Sequence, residues 1–307
     1  MNMSTETKQK SPIKDNLSQM VLAQSLPCAR CGYDLRSLQA DGDCPECGEP
    51  IRLTVIETVD PATRRLTPIH RPRKIGNAIT GIVLFFFISS LLAVMALCVD
   101  APKSLPIPLF VRRSPISVFV WASAGFSLLS FLSLIPLLQM CRRKELTGCR
   151  LGIMLTGTGL LLWSLSMLMV NMFLLNSGKN YSQYAMLFDT CFPVISAGLI
   201  FSGFRKLVPR LGQRSRAFRQ AQGSRQRMND LLAALVVIII GRTFLVVSGP
   251  DSNLSFIGLI VMVMSISLVA IGFGYLLRNT IWIRQALITP PPALSELLKP
   301  INDPAGN

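Results

Sequence analysis

A single histidine, His70, in 307 residues is the sharpest absence in this sequence. It removes paired-imidazole metal sites and most histidine-based acid–base chemistry. Charge is also scarce: 15% of residues are charged, whereas 50% are hydrophobic. A water-soluble chain of this length needs more charge to cover its surface, so lipid must supply much of the solvent. Acidic residues are scarcer still, 16 against 31 Lys and Arg. In a chain rich in apolar runs, that excess reads as cytoplasmic connections rather than a nucleic-acid surface. The sequence contains no HExxH and no Ser/His or Cys/His arrangement, which disfavours an intramembrane enzyme. Residues 1–25 hold no apolar run, which excludes a cleaved secretory signal there and predicts a disordered tail.

What is present begins with six long apolar stretches: Ile75–Val99, Ile116–Met140, Leu151–Leu175, Tyr184–Val208, Leu231–Ser248 and Leu254–Leu277. About 20 helical residues cross the hydrocarbon of a bilayer. Lipid offers a bare backbone no partners, so each stretch is predicted to be a transmembrane helix. Basic residues set the orientation. Arg64, Arg65, Arg71, Arg73 and Lys74 precede the first span, and Arg142, Arg143, Lys144 and Arg150 lie between the second and third. Arg205, Lys206, Arg210, Arg214, Arg216, Arg219, Arg225 and Arg227 lie between the fourth and fifth, and Arg278 and Arg284 follow the sixth. The alternate connections hold only Lys103, Arg112, Arg113 and Lys179. The positive-inside rule then places both termini in the cytoplasm.

Ahead of the spans stands the pattern Cys28-x2-Cys31-x12-Cys44-x2-Cys47. Each CxxC pair puts two sulfurs on one tight turn, and two opposed turns give the four thiolates that a structural zinc ion takes at tetrahedral corners. Gly32 and Gly48 follow the second cysteine of each pair, where a sharp turn favours a residue without Cβ. The alternation Ile51-Arg52-Leu53-Thr54-Val55 predicts a short strand after the second turn. So small a segment is expected to lack a hydrophobic core and to fold only around its metal. Four sulfurs fill every coordination position, leaving none for a catalytic water, so Zn²⁺ here is read as structural. The run Cys-Ala-Arg-Cys-Gly-Tyr-Asp-Leu-Arg followed by Cys-Pro-Glu-Cys-Gly resembles the zinc-ribbon head of uncharacterised bacterial multi-pass membrane proteins. Over residues 28–49 that resemblance implies the same four zinc ligands, and it brings neither a catalytic residue nor a substrate.

The fold class expected is therefore an all-α polytopic membrane protein of six transmembrane helices with a small N-terminal β-type zinc ribbon. The expected organisation is a disordered tail over 1–25, the ribbon over 26–60, a basic linker over 61–74, the membrane domain over 75–277 and a cytoplasmic tail over 278–307. The ribbon carries Arg30 and Arg36 against Asp34, Asp41, Asp43, Glu46 and Glu49. An acidic module repels phosphate, which argues against a nucleic-acid partner. The basic 205–227 connection suits anionic lipid headgroups, and its charge is opposite to the ribbon's, so the ribbon is a candidate to dock there.

Within the spans, Asp189 and Arg242 lie at matching depths on consecutive antiparallel helices, with Asn171 at a similar level. An ion pair is the economical way to hold two charges in lipid, and Asn171 is placed to hydrogen-bond to it. Cys98 and Cys191 read as small apolar fillers, and Cys141 and Cys149 lack metal-knuckle spacing. The functional expectation is a membrane-anchored interaction or scaffold protein of the bacterial inner membrane, presenting its ribbon to a cytoplasmic protein. The alternative is a small transporter or channel that uses Asp189, Arg242 and Asn171.

Overall fold

In the computed structural model, residues 19–59, 69, 71–99, 115–142, 149–176, 183–221, 227–248, 252–290, 292 and 294–300 are described. The elements in chain order are β1 (Met20–Leu22), α1 (Ile51–Thr58), α2 (Pro72–Val99), α3 (Ile116–Leu132), α4 (Ile135–Arg142), α5 (Arg150–Asn176), α6 (Gln183–Gly212), α7 (Arg216–Gln220), α8 (Met228–Val247), α9 (Asn253–Ile288), α10 (Leu294–Leu297) and β2 (Leu298–Pro300). They fall into two units: one holds the N-terminal segment to Leu66 with the C-terminal segment from Thr289, and the other spans Thr67–Ile288.

Among the described residues, six helices are long and apolar enough to cross a membrane. The protein is thus an all-α polytopic one. The second crossing is broken. α3 stops at Leu132 and α4 starts at Ile135, because Pro136 has no N–H to give the preceding turn. The sixth helix continues past Leu277 to Ile288. There Arg284 Nε donates to Asn77 Oδ1 at 2.7 Å, and the Arg278 guanidinium stacks 4.6 Å above the Trp282 ring.

The helices pack in a closed ring in sequence order: α2 on α3, α3 on α5, α5 on α6, α6 on α8, α8 on α9, and α9 back on α2. Two devices bring them together without a hydrophobic effect between apolar surfaces in lipid. The first is close approach. A Cβ on Gly203 of α6 would lie 2.6 Å from the Gly152 carbonyl oxygen of α5. The second is a buried serine stripe on α3. Ser123 Oγ donates to the Ser89 carbonyl at 2.9 Å, Ser127 Oγ to Leu160 at 2.9 Å and Ser130 Oγ to Ile82 at 2.8 Å. Phe86, Phe201 and Phe273 come from three different helices and meet at the ring's centre. Phe86 and Phe273 ring centroids are 5.5 Å apart, and Phe201 and Phe273 are 5.3 Å apart.

The N-terminal unit differs from expectation in three respects. Ile51–Thr58 is a helix, not a strand. Its buried residues Ile51, Thr54 and Val55 follow helical spacing, whereas a strand would have buried Leu53, which is exposed. The unit also has an apolar core, built from Leu22, Leu26, Leu35, Ile51, Val55, Val59, Leu297 and Leu298 together with Cys28 and Cys44. Part of that core comes from the far end of the chain. β1 and β2 pair antiparallel with Val21 opposite Lys299, so residues 298–300 belong to this unit rather than forming a free tail. Residues 1–18 of the predicted N-terminal tail, residue 60 at the end of the predicted ribbon, and residues 61–68 and 70 of the predicted linker lie outside the described residues.

Candidate functional site

Two short turns carry the cysteines, and they are copies of each other. In the first, the Cys28 N–H donates to the Tyr33 carbonyl at 2.8 Å and the Gly32 N–H to the Cys28 carbonyl at 2.9 Å. In the second, Cys44 donates to Glu49 at 2.8 Å and Gly48 to Cys44 at 2.9 Å. Antiparallel bridges close each one, Pro27 with Asp34 and Asp43 with Pro50. Gly32 and Gly48 have φ of 79° and 68°, the left-handed conformation that only glycine adopts at little cost. A single constant offset in residue number maps one turn onto the other.

Opposing the two turns brings all four Sγ atoms within 4.8 Å of one another. Cys28 and Cys47 sulfurs are 3.7 Å apart, and those of Cys31 and Cys44 are 3.6 Å apart. A regular tetrahedron with metal–sulfur bonds of about 2.3 Å has edges of about 3.8 Å, so the four sulfurs fit a single ion. All four are free thiols. Cys28 and Cys44 face the core, while Cys31 is exposed and Cys47 half-buried.

Electrostatics favour a cation here. Cys28 is pulled down to about 6 by the backbone N–H groups of Cys31 and Arg30. The Glu49 N–H acts in the same direction on Cys47, but burial and the neighbouring thiols Cys31, Cys28 and Cys44 push it up to about 12. Cys31 is likewise raised: the Tyr33 N–H opposes the shift, while burial and the Cys44 and Cys28 thiols drive it. Without a metal, the Cys28 thiolate is stabilised while Cys31 and Cys47 are driven toward the thiol form. A dication would remove that conflict.

The surroundings brace the turns. Thr54 Oγ1 of α1 accepts from the Ala29 N–H at 3.2 Å, and Arg30 Nη1 reaches Glu49 Oε2 across the two turns at 3.4 Å. Asp34 Oδ1 accepts from the N–H groups of Leu26 and Arg36, both at 3.1 Å, and the Arg36 N–H foremost holds its carboxyl below the usual range.

In the helical unit, Arg242 Nη2 lies 3.8 Å from Asp189 Oδ1, which also accepts from Thr190 Oγ1 at 3.1 Å. Asn171 is buried, and its Oδ1 has no hydrogen-bond partner among the described residues. The predicted basic connection is largely structured. Arg205, Lys206 and Arg210 extend α6, Arg214 lies in the turn after it, Arg216 and Arg219 belong to α7, and Arg227 caps α8. Buried Phe218 pins α7 to the bundle, and Ser215 Oγ caps its N–H at 3.3 Å. Arg225 lies outside the described residues. Cys149 is buried with Arg210 Nη1 4.0 Å from its sulfur, and the side chains of Cys98 and Cys141 lie outside the description.

Sequence reasoning missed the serine stripe on α3, although Ser123, Ser127 and Ser130 stand at helical spacing in an apolar span. It also missed the C-terminal contribution to the ribbon core, for which Leu297-Leu298 in a polar tail was the only signal. No protein-family model, curated protein or solved structure matches this chain.

Proposed function

We propose that this protein is an inner-membrane scaffold of bacterial type that holds Zn²⁺ at Cys28, Cys31, Cys44 and Cys47 and presents the metal-built unit to a cytoplasmic protein. The observation that carries this reading is the sulfur geometry. Four protein thiolates at tetrahedral spacing saturate the ion and leave it no position for substrate or water. The metal then stabilises a shape, and the shape is what the unit has to offer. The ribbon's acidic excess points to a partner with a basic surface and away from nucleic acid.

The strand pairing supports both ends of the six-helix unit facing one side, since β1 precedes the first crossing and β2 follows the sixth. The clustered Arg and Lys before α2 and along α6 and α7 support a reading in which that side is cytoplasmic and meets anionic lipid headgroups. The likeness of the Cys28–Glu49 run to the heads of bacterial multi-pass proteins agrees with this reading. A conduit would need a path through the ring. The buried aromatic centre formed by Phe86, Phe201 and Phe273 favours an anchor instead.

The test is photo-crosslinking in cells from Asp41 and Glu46 of the full-length chain, beside a Cys44→Ser chain, with metal content measured on both purified proteins. The reading expects zinc in the first chain and a crosslinked partner that disappears in the second. Iron at the site, no partner, or the same partner from both chains would overturn it.

A further inference from the structure

All six long helices contribute to a cavity of about 170 Å³ inside the ring. Its wall is apolar and rich in aromatic rings, with Phe86, Trp163, Phe201 and Phe273 at one end. The Phe86 ring meets Trp163 edge-on at 5.2 Å. Beyond this aromatic floor, toward the face where α2, α5 and α8 begin, the bundle is filled by buried Ile79, Ile82, Phe204, Leu276 and Ile283. The cavity thus occupies only the half of the ring toward the face where α3, α6 and α9 begin. There its lining turns polar, at Asp189 and Thr190.

An apolar body with one polar end is the shape of an amphiphile site. Apolar cavities of about 150 Å³ stay dry and take up hydrocarbon ligands, so water is a poor occupant here. Asp189 lies about 9 Å along α6 from its first residue, Gln183, close to headgroup level. Its carboxyl oxygens accept hydrogen bonds, and the Arg242 guanidinium stands 3.8 Å away. A head carrying an ammonium N–H and a phosphate is the mirror image of that carboxylate–guanidinium pair.

We infer that this cavity takes up a segment of the hydrocarbon chain of a phospholipid whose primary ammonium head is recognised by Asp189. A quaternary ammonium has no N–H to donate, so the site discriminates between headgroups of equal charge. Trp163 lies in the wall and serves as the reporter, while Trp121 is exposed on the outer surface.

The experiment uses the full-length chain with Trp121→Phe and Trp282→Phe, reconstituted in vesicles containing a minor fraction of brominated-chain phosphatidylethanolamine or phosphatidylcholine. Quenching of Trp163 is expected at roughly tenfold lower mole fraction of the ethanolamine lipid, the effect of one charge-assisted hydrogen bond. An Ala93→Phe substitution, which fills the cavity, abolishes that preference. A companion chain that keeps only Trp121 reports ordinary bilayer contact and is expected to be quenched equally by both lipids. Equal quenching of Trp163 by the two lipids, or no quenching, overturns the inference. The headgroup comparison on the chain without Ala93→Phe decides the matter even if the filled variant does not fold.

Discussion

Cys28 Sγ lies 3.7 Å from Cys47 Sγ, a sulfur of the first turn against a sulfur of the second. With the two turns joined in this way, metal binding and folding of the N-terminal unit are expected to be coupled. Cys28 and Cys44 belong to the same buried cluster as Leu22, Leu35, Val55, Leu297 and Leu298. Chelation, or Cys44→Ser, is therefore expected to loosen the whole unit together. Hydrogen exchange followed by mass spectrometry should show the amides of Met20–Leu22 and Leu298–Pro300 losing protection along with both turns. If the strand pair stays protected after the metal is removed, the apolar core holds by itself.

Metal affinity is expected to fall with pH, because protons and metal compete for the same sulfurs. Cys47, at about 12 without metal, surrenders a proton on binding throughout the neutral range, and raised Cys31 opposes binding in the same direction. Cys28, at about 6, is already a thiolate at neutral pH and begins to require proton displacement only as pH drops through that value. A plot of log affinity against pH should therefore steepen by roughly one proton below about pH 6. Competition with a chromophoric chelator from about pH 5 to pH 8 would measure this, and a slope unchanged across that window would contradict it.

The Asp189–Arg242 pair is expected to show coupling in a double-mutant cycle. Asp189→Ala alone leaves the Arg242 charge, partly buried among apolar helices, without its carboxylate, and should cost up to about 3 kcal/mol. The double variant Asp189→Leu with Arg242→Met should lie closer to the unsubstituted protein than either single change. Thermal unfolding in detergent gives the three comparisons. Simple additivity of the two single effects would mean the charges do not interact.

Gly203→Leu is expected to force α5 and α6 apart, since even a Cβ meets the Gly152 carbonyl oxygen at 2.6 Å. Overpacking of this kind costs about 1–3 kcal/mol. Gly198→Leu, where a Cβ would meet nothing within 4 Å, is the matched control on the same helix and should be nearly neutral. Equal melting temperatures for the two variants would refute the close-contact reading.

The sequence by itself determined the six crossings and the cysteine quartet. Apolar length and ligand spacing are local properties: lipid demands an uninterrupted apolar helix, and two CxxC turns need only to face each other. It also placed Asp189 and Arg242 at one level, because rise per residue fixes depth along a helix. Tertiary structure decided what depends on distant partners. Ile51–Thr58 became helical because Ile51, Thr54 and Val55 had a core to cover, and part of that core came from Leu297 and Leu298 at the other end of the chain. Likewise, a ring closed by α9 on α2 is a long-range contact, and only that closure brings Phe86, Trp163, Phe201 and Phe273 around one cavity with Asp189 at its polar end.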